Sequence, residues 1–252
     1  GASAEGWPPP VRSLSSRAMP FAAAVTPEAV GLASEDLRLA FGRFRAAVSP
    51  SGQPLSGGVM AVSRRGKPCF VESFGLLDEL GGGPMSTDAV FNIASMTKSV
   101  TSVAAMMLVE EGKLSLEDPV SRWFPALAKE NLRVVGSSGG TVPCERDMLV
   151  RHLMNHTSGL TYGFMFLRPE GDPMQQAEES HLEVGLGPMH AEEFAKCVLA
   201  FQPGTRFRYS NASHLLARVV EAASSSRLEE LFQTRILAPL GMSSTGYTVS
   251  SE

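Results

Sequence analysis

The sequence predicts an α/β (α+β) fold: a small antiparallel sheet near the start of the chain, flanked by helices, and then a mostly helical lobe. Three observations carry this. Gly58 to Ser63 and Cys69 to Phe74 are short apolar or alternating runs on either side of Arg64-Arg65-Gly66-Lys67, the pattern of a β-hairpin with a charged tip. A stretch rich in Val, Ala, Met and Leu runs from Ser95 to Glu111 and stops at Gly112, as a single long helix does. From Leu116 onward the pattern is helical segments broken by loops.

Residues 1–33 are rich in Ala, Pro and Ser and read as an N-terminal arm. Val11 to Val25 holds Arg12 and Arg17 and no acid, a composition faintly like a transit segment. No positively charged start leads into a continuous apolar stretch, so no secretory signal is read. Ser34-Glu35-Asp36 begins a helix, with Ser34 as its N-cap, and Leu37, Leu39, Ala40 and Phe44 fit one face. Ser49 to Gly58 is a loop, and Gly81-Gly82-Gly83-Pro84 is a turn after the hairpin. The long helix is apolar almost all round and is therefore expected to be buried.

Further on, Gly136 to Gly140 is a loop, and a helix leads into His152 to Gly159. Glu192 to Ala200, Asn211 to Ala223 and Arg227 to Leu237 read as three more helices. The chain thus divides into the arm, residues 34–112 as the N-terminal part of an α/β lobe, and residues 113–252 as a helical lobe. A lone hairpin is marginal in water, and a long apolar helix needs a wider sheet to cover it. On these grounds the chain reads as lacking strands that would complete its sheet; Ser243-Ser244 and Ser250-Ser251 make a polar, cuttable stretch near its end.

The bulk properties exclude several classes. The 252 residues are 43% apolar with a formal net charge of −4, which suits a globular core and argues against nucleic-acid binding. The longest apolar run, Ser102 to Val109, is too short to span a bilayer. Cys69, Cys144 and Cys197 are widely spaced, without a CxxC signature, and read as reduced, mostly buried thiols. His152 and His156 have the four-residue spacing of paired helical zinc ligands, but Thr157-Ser158-Gly159 breaks the helix at once. No metal and no cofactor are expected.

Chemistry concentrates in two segments. In Ala94-Ser95-Met96-Thr97-Lys98, the serine starts the long helix and the lysine lies three residues on, so both share one face. A serine hydroxyl needs a base to become a nucleophile. A desolvated lysine near other positive groups can have its pKa lowered enough to serve. Taken alone, the tetrapeptide also fits an N-cap serine followed by a solvated lysine. Lysine is disfavoured by the dipole in a first helical turn, however, so Lys98 needs a reason to be there. The second segment is Pro203-Gly204-Thr205-Arg206-Phe207-Arg208-Tyr209-Ser210-Asn211, a turn and an extended piece leading into a helix. Tyr209 stands at that junction, where a phenol beside a lysine can exchange protons. A half-buried core tyrosine and a capping asparagine are the alternatives.

Together these segments resemble the serine β-lactamase and penicillin-binding-protein superfamily, on its class C and carboxylesterase side. Ser95-Met96-Thr97-Lys98 is similar to the family's S-x-x-K motif and Tyr209-Ser210-Asn211 to its Y-x-N motif. Leu153-Met154-Asn155-His156-Thr157-Ser158-Gly159-Leu160, Pro203-Gly204-Thr205-Arg206-Phe207 and Ala238-Pro239-Leu240-Gly241-Met242 are also family-like. The resemblance implies a β-lactamase/transpeptidase-like fold, an antiparallel sheet flanked by helices plus an all-helical lobe. It also implies a serine hydrolase with Ser95, Lys98 and Tyr209 as catalytic residues. Thr97 and Thr161-Tyr162-Gly163-Phe164 resemble the esterase and transesterase branch, with Tyr162 and Phe164 as an apolar substrate wall. Asn211 is the position that lactamases and peptidases keep for a substrate amide. The implied substrate is a small-molecule ester; an amide such as a β-lactam or D-amino-acid peptide is the alternative, and a non-catalytic scaffold is the alternative of another class. The family's third motif, a Lys-Thr-Gly or His/Trp-x-Gly strand with an oxyanion-hole donor, has no match after Tyr209. The resemblance therefore implies that the sheet-completing strands and that donor lie on a missing or separate C-terminal polypeptide that packs on this chain, with cleavage near Ser251-Glu252.

Overall fold

The computed structural model describes residues 22–46, 56–77, 83–137, 140–163, 172, 174–184 and 190–248. They fall into two compact units, residues 1–92 with 243–252 and residues 93–242.

In the first unit, helix α1 (Ser34–Ala46) precedes an antiparallel hairpin of β1 (Gly57–Arg64) and β2 (Lys67–Gly75). The two-residue turn is Arg65-Gly66, with φ of 53° and 72°, the twist that suits a tight hairpin. Gly66 takes that conformation without steric cost. Phe41 of α1 is the buried anchor and meets Phe70 and Phe74 edge-on, at 5.8 and 5.3 Å between ring centres. The helix therefore rests on the face centred at Phe41, and Leu39 and Phe44 are exposed. Ser34 is inside the helix rather than capping it: its N–H donates to Glu28 Oε1 at 2.9 Å. Part of the expected Gly81–Pro84 turn lies outside the described residues, but Leu76 and Pro84 form a bridge on either side of it.

The second unit opens with a 3-10 turn (Ala94–Met96) that runs into α2 (Thr97–Glu110), and Gly112 ends it in the left-handed region. Thr101, Ala104, Ala105 and Leu108 form the buried stripe of α2, at helical spacing. Val103 and Met106 on its other side are exposed, so the expected burial all round is not observed among the described residues. The stripe packs against α5 (Ala212–Ser224), which buries Ala212, Leu215, Leu216, Val219 and Val220. Leu108 is 1% exposed. Full burial of such a side chain contributes about 1.5–3 kcal/mol.

Three short strands, β3 (Arg133–Val135), β4 (Thr141–Pro143) and β5 (Val198–Leu199), form a sheet in the order β4-β3-β5, antiparallel then parallel. The segment expected as a helix over Glu192 to Ala200 is instead a 3-10 stretch (Ala191–Lys196) followed by β5. Cys197 and Leu199 enter the common core with Val134 and Phe194. Helices α3 (Val150–Met154), α4 (Gln175–Val184) and α6 (Leu228–Phe232) complete the unit, and α6 continues as a π turn through Leu237. The fold is thus mixed α/β with short sheets and helices, as the sequence predicts. All three cysteines are free and buried.

Candidate active site

The backbone just before Ser95 is strained: Ala94, which is not glycine, sits at φ 42°. The tight turn that follows is closed by the Met96 N–H donating to Ile93 O at 2.9 Å. It lifts Ser95 to an exposed position at the head of α2. Lys98, one helical turn on, brings its ammonium back over the serine, and Nζ donates to Ser95 Oγ at 3.0 Å.

Tyr209 reaches the same oxygen from a different stretch of chain. The loop after α3 and the segment before α5 are zipped together by backbone hydrogen bonds. Ala200 N–H donates to Gly159 O and Gly204 N–H to Thr157 O, both at 2.7 Å, and Arg208 N–H donates to His156 O at 2.8 Å. Two glycines make this possible. A Cβ on Gly159, at φ +87°, would sit 2.5 Å from Phe201 O, and one on Gly204, at φ +80°, would sit 2.7 Å from His152 Nε2. The zipped pair presents Tyr209, whose Oη donates to Ser95 Oγ at 2.7 Å. The His156 ring packs 4.7 Å from that of Tyr209, and Tyr162 lies 5.5 Å away on another side. Lys98 Nζ stands 5.0 Å from the Tyr209 ring centre and 5.9 Å from that of Tyr162.

Electrostatics divide the work. Burial pulls the Lys98 ammonium down, as expected from the sequence, but its hydrogen bonds with Tyr209 and Tyr162 outweigh that and leave its pKa raised. Lys98 therefore stays a cation, contrary to the expectation of a lowered pKa. Partial burial would raise the Tyr209 phenol; hydrogen bonds from Lys98 and with Ser95 hold it below its ordinary value instead. Burial and then the nearby Lys98 charge push His156 down, so its ring is neutral. His156 Nδ1 accepts the Ser210 N–H at 3.3 Å. With Tyr209 ionised and its phenolate stabilised by the Lys98 cation, the arrangement can take a proton from Ser95 Oγ onto Tyr209.

The other sequence candidates lie as follows. Tyr162 is in the cluster, with its phenol raised first by burial. Asn211 is fully buried, and its side-chain amide has no hydrogen-bond partner among the described residues. Phe164 lies outside the described residues. His152 and His156 do not converge as ligands: His152 Nδ1 accepts the Leu149 N–H at 3.2 Å, while His156 faces Tyr209. Among the described residues no group of His, Cys, Asp or Glu could hold a metal ion, and no helix is long and apolar enough to cross a membrane. Sequence reasoning missed His156 as a ring partner of Tyr209. It also missed Glu178 and His181 on α4, and Arg208, the residue before Tyr209, whose guanidinium donates to Glu178. The only sequence signal for the α4 pair is its i, i+3 spacing.

A serine behind a strained turn, with a lysine and a tyrosine on its hydroxyl and a mixed α/β framework around it, defines a class of protein that known relatives make specific. The Beta-lactamase family pattern matches residues 44–252, and the chain belongs to that family. It is 40% identical over 203 residues to Protein Rv1367c of Mycobacterium tuberculosis, covering 79% of this chain and 49% of that protein. It is 33% identical to esterase EstB of Burkholderia gladioli, covering 79% and 48%. Among solved structures it is similar to simvastatin synthase (LovD) from Aspergillus terreus, with a TM-score of 0.64 and 26% identity over 83% of this chain and 52% of that one. The chain spans about half the length of the curated relatives it matches.

Proposed function

We propose that this chain carries the nucleophile and proton-transfer groups of a serine hydrolase that acts through an acyl enzyme, with an ester as its substrate. The observation that carries this is the meeting of Lys98 Nζ and Tyr209 Oη on Ser95 Oγ, at 3.0 and 2.7 Å. Tyr209, as phenolate, takes the serine proton as Ser95 Oγ bonds to the acyl carbon. The carbonyl π electrons move to oxygen and return as the C–O bond to the leaving alcohol breaks. Tyr209 gives its proton to that alcohol. Lys98 stabilises the Tyr209 phenolate before it takes the serine proton and again after that proton has passed to the alcohol. The acyl group then passes from Ser95 to water or to an acceptor alcohol, the same steps running in reverse. Names among the relatives support an ester: EstB and the lovastatin esterase of Penicillium rubens, the latter 31% identical over 83% of this chain. An oxyanion-hole donor and the further strands are proposed to come from a segment corresponding to the other half of those relatives.

Incubation of the complete protein with a fluorophosphonate, followed by peptide mapping, tests the reading. The adduct is expected on Ser95. An adduct on another serine, or none in a protein that hydrolyses esters, overturns it.

A further inference from the structure

Both tyrosines of the cluster are tied to one face of α4. The Gly163 N–H, next to Tyr162, donates to Glu178 Oε2 at 3.1 Å. On the other flank of Tyr162, the Thr161 N–H donates to His181 Nε2, also at 3.1 Å. Glu178 Oε1 accepts from the guanidinium of Arg208, the residue before Tyr209. Glu178 and His181 are one helical turn apart and so act from the same side. His181 Nδ1 lies 2.8 Å from Ala177 O and donates there, which leaves Nε2 as the acceptor that Thr161 needs.

The Arg208–Glu178 pair is buried, its side chains 13% and 5% exposed. A buried ion pair is a poor source of stability, because desolvation offsets its Coulomb gain; its best-attested use is to fix one geometry over others. Here it ties the backbone ahead of Tyr209 to a carboxylate that also holds the backbone after Tyr162. Two phenols from distant parts of the chain are thereby set side by side.

We propose that Glu178, with Arg208 and His181, is a positioning device that holds Tyr162 where its hydroxyl and the Lys98 ammonium both meet Tyr209. The inference rests on the reading of Tyr209 as the proton acceptor of the site. Its consequence follows from the cluster: the hydrogen bond from Tyr162 is one of the interactions that lower the Tyr209 phenol. With Tyr162 loosened, Tyr209 becomes harder to ionise.

The chain has three tyrosines, Tyr162, Tyr209 and Tyr247, so their ionisation can be followed directly by tyrosinate absorbance in the full protein. In the wild type one phenol should ionise ahead of the others, and Y209F should remove that step. The double variant E178A/R208A removes the brace without leaving a lone buried charge. In it the early step should move to higher pH by about 0.5 or more, the scale of losing one hydrogen bond to the charged form. Should that variant not fold, H181A, which removes the Thr161 acceptor and leaves the Glu178–Arg208 pair in place, should move the step in the same sense. A folded variant of either kind with the step unmoved overturns the proposal, as does a wild type that lacks the step. The readout needs no turnover. A failure to label Ser95 with the phenol step shifting as stated would sink the functional reading and leave the brace standing.

Discussion

Tyr209 Oη donates to Ser95 Oγ at 2.7 Å across 114 residues of sequence. The contact depends on two separate local devices. The strained turn at Ala94 raises the serine, and the glycine-dependent pairing of residues 156–161 with 200–211 delivers the phenol. Because Lys98 also donates to that oxygen, the three side chains form one proton-sharing unit.

Residues that act as a unit give losses that do not add. Lys98→Ala and Tyr209→Phe should each lower kcat by about 10² or more, the scale of general acid–base catalysis. The double variant should be little worse than either single one. Steady-state kinetics of the three variants in the complete protein check this, and losses that multiply would mean that the two groups work independently.

The pKa directions fix the shape of the pH profile. Tyr209, lowered against the raising effect of its partial burial by its bonds with Lys98 and Ser95, must be ionised. Lys98, raised by its phenol partners against the lowering effect of burial, must keep its proton. Activity should rise with pH through the lowered Tyr209 ionisation and fall through the raised Lys98 one, both limbs belonging to the coupled cluster. Removing the other phenol of the cluster in Y162F takes away a bond that lowers Tyr209 and raises Lys98. The acid limb should move up and the alkaline limb down, narrowing the bell. A profile of kcat/KM for Y162F that superimposes on the wild type would show that Tyr162 is a bystander.

What the sequence could and could not convey follows from the range of each interaction. The hairpin was legible because its two strands and its Arg65-Gly66 turn are adjacent in the chain. The facing of Ser95 and Lys98 was legible because it is helical arithmetic. The strands β3 to β5, of two or three residues each, are too short to show an alternation, and β5 pairs with a strand far away in sequence. The choice of Phe41 over Leu39 and Phe44 as the anchor of α1 depends on where Phe70 and Phe74 stand. The raised Lys98 could not be foreseen from a spacing rule, since it reflects hydrogen bonds with two distant phenols set against burial. The brace from α4 is likewise invisible locally, since Glu178 and Arg208 are 30 residues apart.

Gly159 tests the loop pairing on its own. Alanine there would place a Cβ 2.5 Å from Phe201 O, at a φ of +87° that disfavours any side chain. Left-handed strain alone costs about 1–2 kcal/mol, and the contact adds to it. G159A should therefore unfold at lower denaturant concentration and also lose activity, because the pairing that carries Tyr209 is displaced. Unchanged stability in urea titrations would show that the loop adapts freely.

Acid stability should report on His181. Burial, its main influence, lowers its pKa, and the folded protein holds it neutral. The unfolded chain protonates histidine near its ordinary value of about 6.5, so stability is full above that pH. It falls as the pH drops from there towards the lowered folded value. The melting temperature should be lower at pH 5.5 than at pH 7.5, and H181N should flatten that slope. Equal slopes for the two proteins would place the titration elsewhere.

The substrate class turns on Asn211. In an amide-type site this position would offer its side chain to the substrate amide. Here that side chain is fully buried and its amide is unpartnered among the described residues, so the site surface is set by Tyr162, Tyr209 and Lys98 instead. Among the described residues, two phenols and a cation offer aromatic walls to an acyl chain. Short-chain p-nitrophenyl esters should accordingly be hydrolysed far faster than nitrocefin by the complete protein. Because a site built to hydrogen-bond a group rejects analogues that lack it far more strongly than an apolar site rejects an added group, the ranking is informative in both directions. Nitrocefin turned over faster than the esters would require Asn211 to swing its amide into the site, and would move the protein to the lactamase side of its family.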